Sequence, residues 1–208
     1  VTPALLLLAR HGETDWNRAN RVQGHTDIPL NDEGRKQAAR LAARMRTFGI
    51  RALHASDLSR AAETARIVGD AIALAPVLSP KWREIGLGAL EGHDGKETHR
   101  DFGEMVSAAA GRADPLAPGA EAFATFSARI VEGYERIARE HAGQTVLVVS
   151  HGGTLKTLIA HLLGLPPTRI DRLSLRANAG LSVIDFRHGR PQLALLNDAR
   201  HLEGPWSS

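Results

Sequence analysis

Two apolar runs in this chain end in the same way, and that repetition constrains the fold more than any other feature. Leu5-Leu6-Leu7-Leu8-Ala9 stops in Arg10-His11-Gly12, and Thr145-Val146-Leu147-Val148-Val149 stops in Ser150-His151-Gly152. A short run without polar interruption reads as a strand buried on both faces, as in parallel sheets covered by helices on either side. Neighbouring side chains of a strand point to opposite faces. Arg10 and His11 therefore act on one ligand only if the strand has given way to a loop there, a turn that Gly12 permits. Loops at the carboxyl ends of parallel strands are where open α/β sheets place their ligands. A guanidinium and an imidazole in such a loop suit an oxyanion, phosphate foremost, because the guanidinium fork matches it. A turn with a surface histidine is the plain alternative for one such run, and a poorer account of two. Gly152 and Gly153 also leave backbone N–H groups at the start of a helix (Leu155, Leu158, Ile159, Leu162), where an anion is favoured.

Between the two runs, strand and helix signals alternate. Residues 15–30 are polar, aperiodic and long for a connection, hence a candidate functional loop. Asn31 or Asp32 can cap a helix carrying Ala38, Leu41, Met45 and Phe48 at helical spacing, with Gly49 past its end. Ala52–Ala55 is a short strand candidate, and Ser56 a candidate N-cap for a second helix striped by Leu58, Ala61, Ala65, Val68 and Ile72. Arg60 falls in the first turn of that helix, where a cation is unfavourable unless an anion sits beside it. Pairing with Asp57 or Glu63 on the surface is the alternative. Val77-Leu78 reads as another strand, and Phe123, Phe126, Ile130, Tyr134 and Ile137 mark a long amphipathic helix. Residues 93–120 predict helices and loops over the sheet edge. Residues 181–186 and 192–196 read as an edge hairpin, a place where a second subunit could pair. The expected architecture is an α/β three-layer sandwich: a mostly parallel central sheet, helices on both faces, and that hairpin at its edge.

Composition excludes several classes. Cysteine is absent, which removes disulfides, thiolate metal sites and thiol nucleophiles. Lys+Arg 26 against Asp+Glu 23 gives only +3, with the two signs interspersed and no aromatic interleaving, so a nucleic-acid surface is not expected. The N-terminal apolar run lacks a basic leader and is too short for a secretory core or a membrane span, so no membrane association and a cytoplasmic location are expected. At 208 residues a single domain over 1–208 is expected. No histidine set has metal-ligand spacing. Of His25, His54, His93, His99, His141, His161, His188 and His201, most are read as surface or half-buried groups, with a supporting or substrate-rim role open for His25 or His93.

Arg10-His11-Gly12-Glu13-Thr14 with Trp16-Asn17 and Asn20 resembles the signature of the histidine phosphatase superfamily, on its phosphoglycerate mutase-like branch. Further blocks match in order: Gly24, Asp27, Pro29-Leu30, Gly34 and Gln37-Ala38; Ser56-Asp57-Leu58, Arg60-Ala61 and Glu63-Thr64-Ala65; Glu84, Gly88 and Glu91-Gly92; Ser150-His151-Gly152. Asn197-Asp198 with His201-Leu202 is similar to a tail in phosphatase-type members such as alpha-ribazole phosphatases. The resemblance implies a metal-independent phosphomonoester hydrolase without cofactor. His11 would be the nucleophile that carries the phosphoryl group, and Arg10, Arg60 and His151 would surround its oxygens. Glu84 would be the general acid, while Thr14, Asn17, Gln23, Gly24 and Gly152 would complete phosphate and substrate binding.

The resemblance also implies a choice between water and a second hydroxyl as phosphoryl acceptor. Mutases of the superfamily carry a longer, basic insert after the acid. Here residues 85–120, expected as a cap-like insert, hold Lys96, Arg100 and Arg112 against Glu91, Asp94, Glu97, Asp101, Glu104 and Asp114. That balance favours hydrolysis of a small phosphomonoester over mutase activity. Pro118-Gly119-Ala120-Glu121-Ala122 departs from phosphatase relatives, with alanine where many carry glycine and serine. An inactive relative binding a phospho-ligand or a partner is the alternative from another class, against which stands the joint presence of Arg10, His11, Arg60, Glu84 and His151.

Overall fold

Alternation along the buried strands decides which layer each side chain joins. In the computed structural model, which describes residues 2–94, 108–112 and 114–203, the strands are β1 (Leu5–Arg10), β2 (Ala52–Ala55), β3 (Val77–Leu78), β4 (Thr145–Ser150), β5 (Leu181–Asp185) and β6 (Gln192–Asp198). They form one sheet in the order β3-β2-β4-β1-β5-β6. β3, β2, β4 and β1 run parallel; β5 pairs antiparallel with β1, and β6 with β5. The expected sandwich and edge hairpin are both present.

Leu7, Ala9, Leu53, Ala55, Leu147 and Val149 point to the face covered by α2 (Asp32–Met45) and α3 (Ser59–Ile72). Leu6, Leu8, Val146, Val148 and Ile184 point to the other, under α4 (Phe123–Glu140) and α5 (Gly152–Leu162). Because both faces are covered, Leu6, Leu7, Leu8 and Ala9 are all fully buried, which is why the run shows no polar alternation.

Local chemistry at the helix starts departs from expectation in instructive ways. Asn31 does cap α2, its side chain accepting from Gly34 N–H at 2.8 Å. Ser56, however, is not the cap of α3. The helix begins after Leu58, and Asp27 from the preceding loop takes its first donor, with Ser59 N–H to Asp27 Oδ1 at 2.7 Å. The Ser56 hydroxyl instead accepts from Leu58 N–H within the turn. The loop expected over residues 15–30 contains a one-turn helix, α1 (Asp15–Arg18), closed by a capping box between Thr14 and Asn17. β1 continues through Arg10 rather than ending before it, since Arg10 still pairs with Ser150 of β4. Much of the expected insert at 85–120 lies outside the described residues, including Lys96, Glu97, Arg100, Asp101 and Glu104. Of the remainder, residues 108–110 are helical and Leu87 bridges to Ala120.

Candidate active site

Four parallel-strand ends deliver the chemistry to one place. β1 ends in Arg10 and is followed by His11; β2 leads through Ser56 to Arg60 at the start of α3; the turn after β3 carries Glu84; β4 is followed by His151 at the start of α5. His11, Arg60, Glu84 and His151 are 3%, 1%, 4% and 1% exposed, so their charges interact through protein rather than through water.

The two imidazoles face each other with ring centroids 5.1 Å apart, and their hydrogen bonds assign opposite tautomers. His11 Nδ1 lies 2.7 Å from Gly12 O, an acceptor only, so Nδ1 carries the proton and Nε2 keeps its lone pair. Arg60 Nε donates to His151 Nδ1 at 3.2 Å, so Nδ1 is the acceptor and Nε2 bears the hydrogen. That Nε2 is buried and has no protein partner. Burial, then the nearby Arg60 guanidinium, holds the His11 ring well below the usual imidazole range, and the same two causes act on His151. Both rings are therefore neutral at pH 7, one a nucleophile in form and the other a donor.

Arg60 pairs with neither Asp57 nor Glu63, which go to Arg83 and Arg35. Its remaining donors reach Thr26 O at 2.9 Å and Gly24 O at 2.8 Å. Burial without a contacting carboxylate brings its guanidinium down to about 10, partly offset by the field of Glu84. Such a buried cation favours an arriving anion. Arg10 donates to Arg176 O at 2.7 Å, while its Nε is buried without a protein partner. The Glu84 carboxyl accepts from Gly153 N–H (2.8 Å) and Ile85 N–H (2.9 Å). Burial raises it from the ordinary carboxyl range, against those two hydrogen bonds and the two guanidiniums. The acceptor at the start of α5 is thus this carboxyl, through the Gly153 N–H.

The other expected site residues form a frame behind these groups. The Thr14 hydroxyl is fully buried between Asn17 Oδ1 and Gln23 Oε1, each at 3.1 Å. It is thus engaged internally rather than presented to a ligand. Asn17 Oδ1 also takes Thr14 N–H and Asn178 Nδ2, which leaves the Asn17 amide nitrogen as its free group. Gly24 contributes its carbonyl, to Arg60. It has φ of +53°, and a Cβ there would collide with the Glu91 carboxylate. Glu91 accepts from His25 N–H, Thr26 N–H and Leu87 N–H at 2.8–2.9 Å and from the Thr26 hydroxyl, so it clamps the loop that holds Arg60. Gly152 abuts Arg10, whose Nε would lie 3.8 Å from a Cβ placed there. Among the described residues, no cluster of three or more His, Cys, Asp or Glu side chains could hold a metal ion.

Sequence reasoning did not reach Asn178, Arg129 or the roles of Glu91 and Glu121. Asn178 Nδ2 reaches His11 O (3.2 Å), and the neighbouring Ala179 N–H donates to the same carbonyl at 3.0 Å. Ala179 O is in turn bound by His201 Nε2 of the C-terminal tail at 3.0 Å. Nothing in the spacing around 178 or 129 signals contact with segments more than forty residues away. Glu91, inside a recognised block, was the one legible in part.

The carboxyl edge of this α/β sheet thus gathers two neutral imidazoles, two guanidiniums and a buried carboxyl, an arrangement of the kind found in α/β enzymes. The sequence profile of the histidine phosphatase superfamily (branch 1) matches residues 6–199, and the chain belongs to that superfamily. It is 38% identical over 205 residues to a protein of Enterobacter sp. (strain 638) named "Probable phosphoglycerate mutase GpmB", covering 95% of this chain and 94% of that one. Among solved structures it is similar to a phosphoserine phosphatase from Entamoeba histolytica in complex with 3-phosphoglyceric acid (31% identity, TM-score 0.81, covering 96% and 99% of the two chains). It is likewise similar to a mycobacterial glucosyl-3-phosphoglycerate phosphatase complexed with VO3 (28% identity, TM-score 0.82, 94% and 99%). Among the described residues no helix is long and apolar enough to cross a membrane.

Proposed function

We propose that this chain is a metal-independent phosphomonoester hydrolase that works through a phosphohistidine on His11. The observation that carries this reading is the pair of opposed tautomers: an Nε2 lone pair on His11, and an unpartnered Nε2–H on His151 across the pocket. In the first step His11 Nε2 attacks phosphorus and the bond to the alcohol oxygen breaks. The Glu84 proton passes to that oxygen, which a carboxyl raised by burial can supply near neutrality. Arg10, Arg60 and His151 Nε2–H bind the three phosphoryl oxygens as charge spreads onto them, the main source of catalysis in phosphoryl transfer. The Asn17 amide nitrogen and the Gly152 N–H add further donors. Water then attacks the phosphorus, the Glu84 carboxylate takes its proton, the P–Nε2 bond breaks with its electron pair returning to His11, and inorganic phosphate leaves.

Small phosphomonoesters are the substrate class, and those bearing a carboxylate head the panel because two of the solved relatives are named for phosphoserine and glucosyl-3-phosphoglycerate. The name of the Enterobacter relative favours a second reading, transfer to another hydroxyl of phosphoglycerate. Incubation with 3-phosphoglycerate separates the two: released inorganic phosphate supports hydrolysis, and 2-phosphoglycerate without phosphate release overturns it. Turnover of p-nitrophenyl phosphate that persists in EDTA supports metal independence, and its loss refutes it. Phosphate analogues that bind without any turnover would assign the chain to the inactive alternative.

A further inference from the structure

Glu84 stands in no helix or strand, yet a proton donor must be held to within a fraction of an ångström. What holds it comes from α4 and the segment before it. Arg129 points one guanidinium at four carbonyls within residues 80–84: NH1 donates to Lys81 O (2.9 Å), Arg83 O (2.7 Å) and, more weakly, Pro80 O (3.3 Å), and NH2 to Glu84 O (2.7 Å). The other edge of the same guanidinium is gripped by Glu121, with Nε to Oε1 at 2.8 Å and NH2 to Oε2 at 2.9 Å.

Glu121 continues the restraint on the far side of Glu84. Its Oε2 accepts from Gly86 N–H at 3.2 Å and its own N–H donates to Gly86 O at 2.8 Å. His25 Nε2 adds a contact to Glu84 O at 2.8 Å. The platform beneath is rigid. Phe126 and Ile130 of α4 are fully buried, Arg129 lies 4.9 Å over the Phe126 ring, and Gly133 lets the helix approach the buried Trp82 indole. Arg129 and Glu121 reach neither His11 nor the buried Nε2 of His151 by any hydrogen bond. Both are about 15% exposed, and among the described residues every hydrogen bond they make outside α4 is to the backbone around Glu84 or to each other, with His25 Nε2 a further 3.9 Å from Glu121 Oε2.

We propose that Arg129 and Glu121 are a positioning pair for the proton donor, fixing the backbone on both sides of Glu84 so that its carboxyl meets the leaving oxygen. This rests on the reading of Glu84 as the general acid. Only a guanidinium can do this work: a lysine ammonium is a point donor and cannot serve a fork of carbonyls and both oxygens of a carboxylate at once.

The test is kcat/KM, which reports the step that breaks the ester bond, for p-nitrophenyl phosphate (a good leaving group) and glycerol 2-phosphate (a poor one). Three variants are compared: Glu84→Gln, Arg129→Lys and the double variant. Glu84→Gln is expected to lose about 100-fold or more on glycerol 2-phosphate and far less on p-nitrophenyl phosphate. Arg129→Lys is expected to lose about 30-fold on the former and no more than about threefold on the latter, and to add almost nothing to Glu84→Gln in the double variant. Equal losses on both substrates in Arg129→Lys, or multiplied losses in the double variant, overturn the positioning role. If Glu84→Gln itself shows no leaving-group dependence with the clamp intact, the acid assignment fails first and the proposal falls with it. Should Arg129→Lys not fold, Glu121→Gln, which retains the guanidinium and the side-chain shape, carries the same comparison.

Discussion

Replacing Gly24 by alanine probes how the loop that orients Arg60 is held. The residue sits at φ of +53°, and the new Cβ would occupy the place of the Glu91 carboxylate. The left-handed backbone costs about 1–2 kcal/mol for a non-glycine residue. Displacing the carboxylate also breaks its hydrogen bonds to His25 N–H, Thr26 N–H, Leu87 N–H and the Thr26 hydroxyl. Losing charge-assisted bonds at partly buried donors costs about 2–3 kcal/mol more. The expected destabilisation is therefore about 3–5 kcal/mol by urea unfolding. Activity should fall about 100-fold, because Gly24 O and Thr26 O are the two carbonyls that orient Arg60. Glu91→Ala alone should cost about 2–3 kcal/mol, since it forfeits the same bonds without the backbone strain. In the Glu91→Ala background, Gly24→Ala should cost only the strain of about 1–2 kcal/mol, a coupling of about 2–3 kcal/mol. Additive losses in this double-mutant cycle would refute the claim that the glycine is there to admit the carboxylate.

His11→Ala should abolish turnover, and acid-quenched wild-type enzyme exposed to substrate should yield an acid-labile phospho-adduct that the variant lacks; an adduct elsewhere would relocate the nucleophile. The pH profile of kcat/KM for a poor leaving group should stay high well below pH 6.5, since His11 is held below the imidazole range and so remains neutral there. It should fall on the alkaline side as the raised Glu84 carboxyl deprotonates, and Glu84→Gln should remove that alkaline limb. His54, buried against His141 under α4, is pushed down to about 4 by burial and by His141. Its neutral form is favoured in the folded state, so stability should decline as pH falls from about 6.5 to 4 and then level off, by up to about 3 kcal/mol. His54→Gln should flatten that slope in urea unfolding, and an unchanged slope would assign it to other groups.

Reading along the chain reached the layers of this fold because its strands and helices are patterned locally. Leu5–Ala9 and Thr145–Val149 show no alternation since helices cover both faces, and the stripes of α2, α3 and α4 appear at helical spacing. Where the reading missed, a partner from far away had taken over a local role. Ser56 is a sound N-cap residue, but Asp27 caps α3. For Arg60 only the alternative of a surface pair with its acidic neighbours fails, since it turns inward to His151. Thr14 belongs to the signature block, but its hydroxyl closes on Asn17 and Gln23.

By itself the sequence determined the α/β sandwich, the superfamily and the residues gathered at the carboxyl edge of the sheet, because each is written in local periodicity or in contiguous blocks. Only the tertiary structure decided which nitrogen of each histidine holds its proton, for that depends on Gly12 O beside one ring and Arg60 Nε beside the other. It alone decided that Glu84 is raised by burial and that its backbone is gripped by Arg129, Glu121 and His25. Tautomers, desolvation and long-range clamps depend on what surrounds a group in space. No spacing along a chain encodes those surroundings until the sheet has brought its strand ends together.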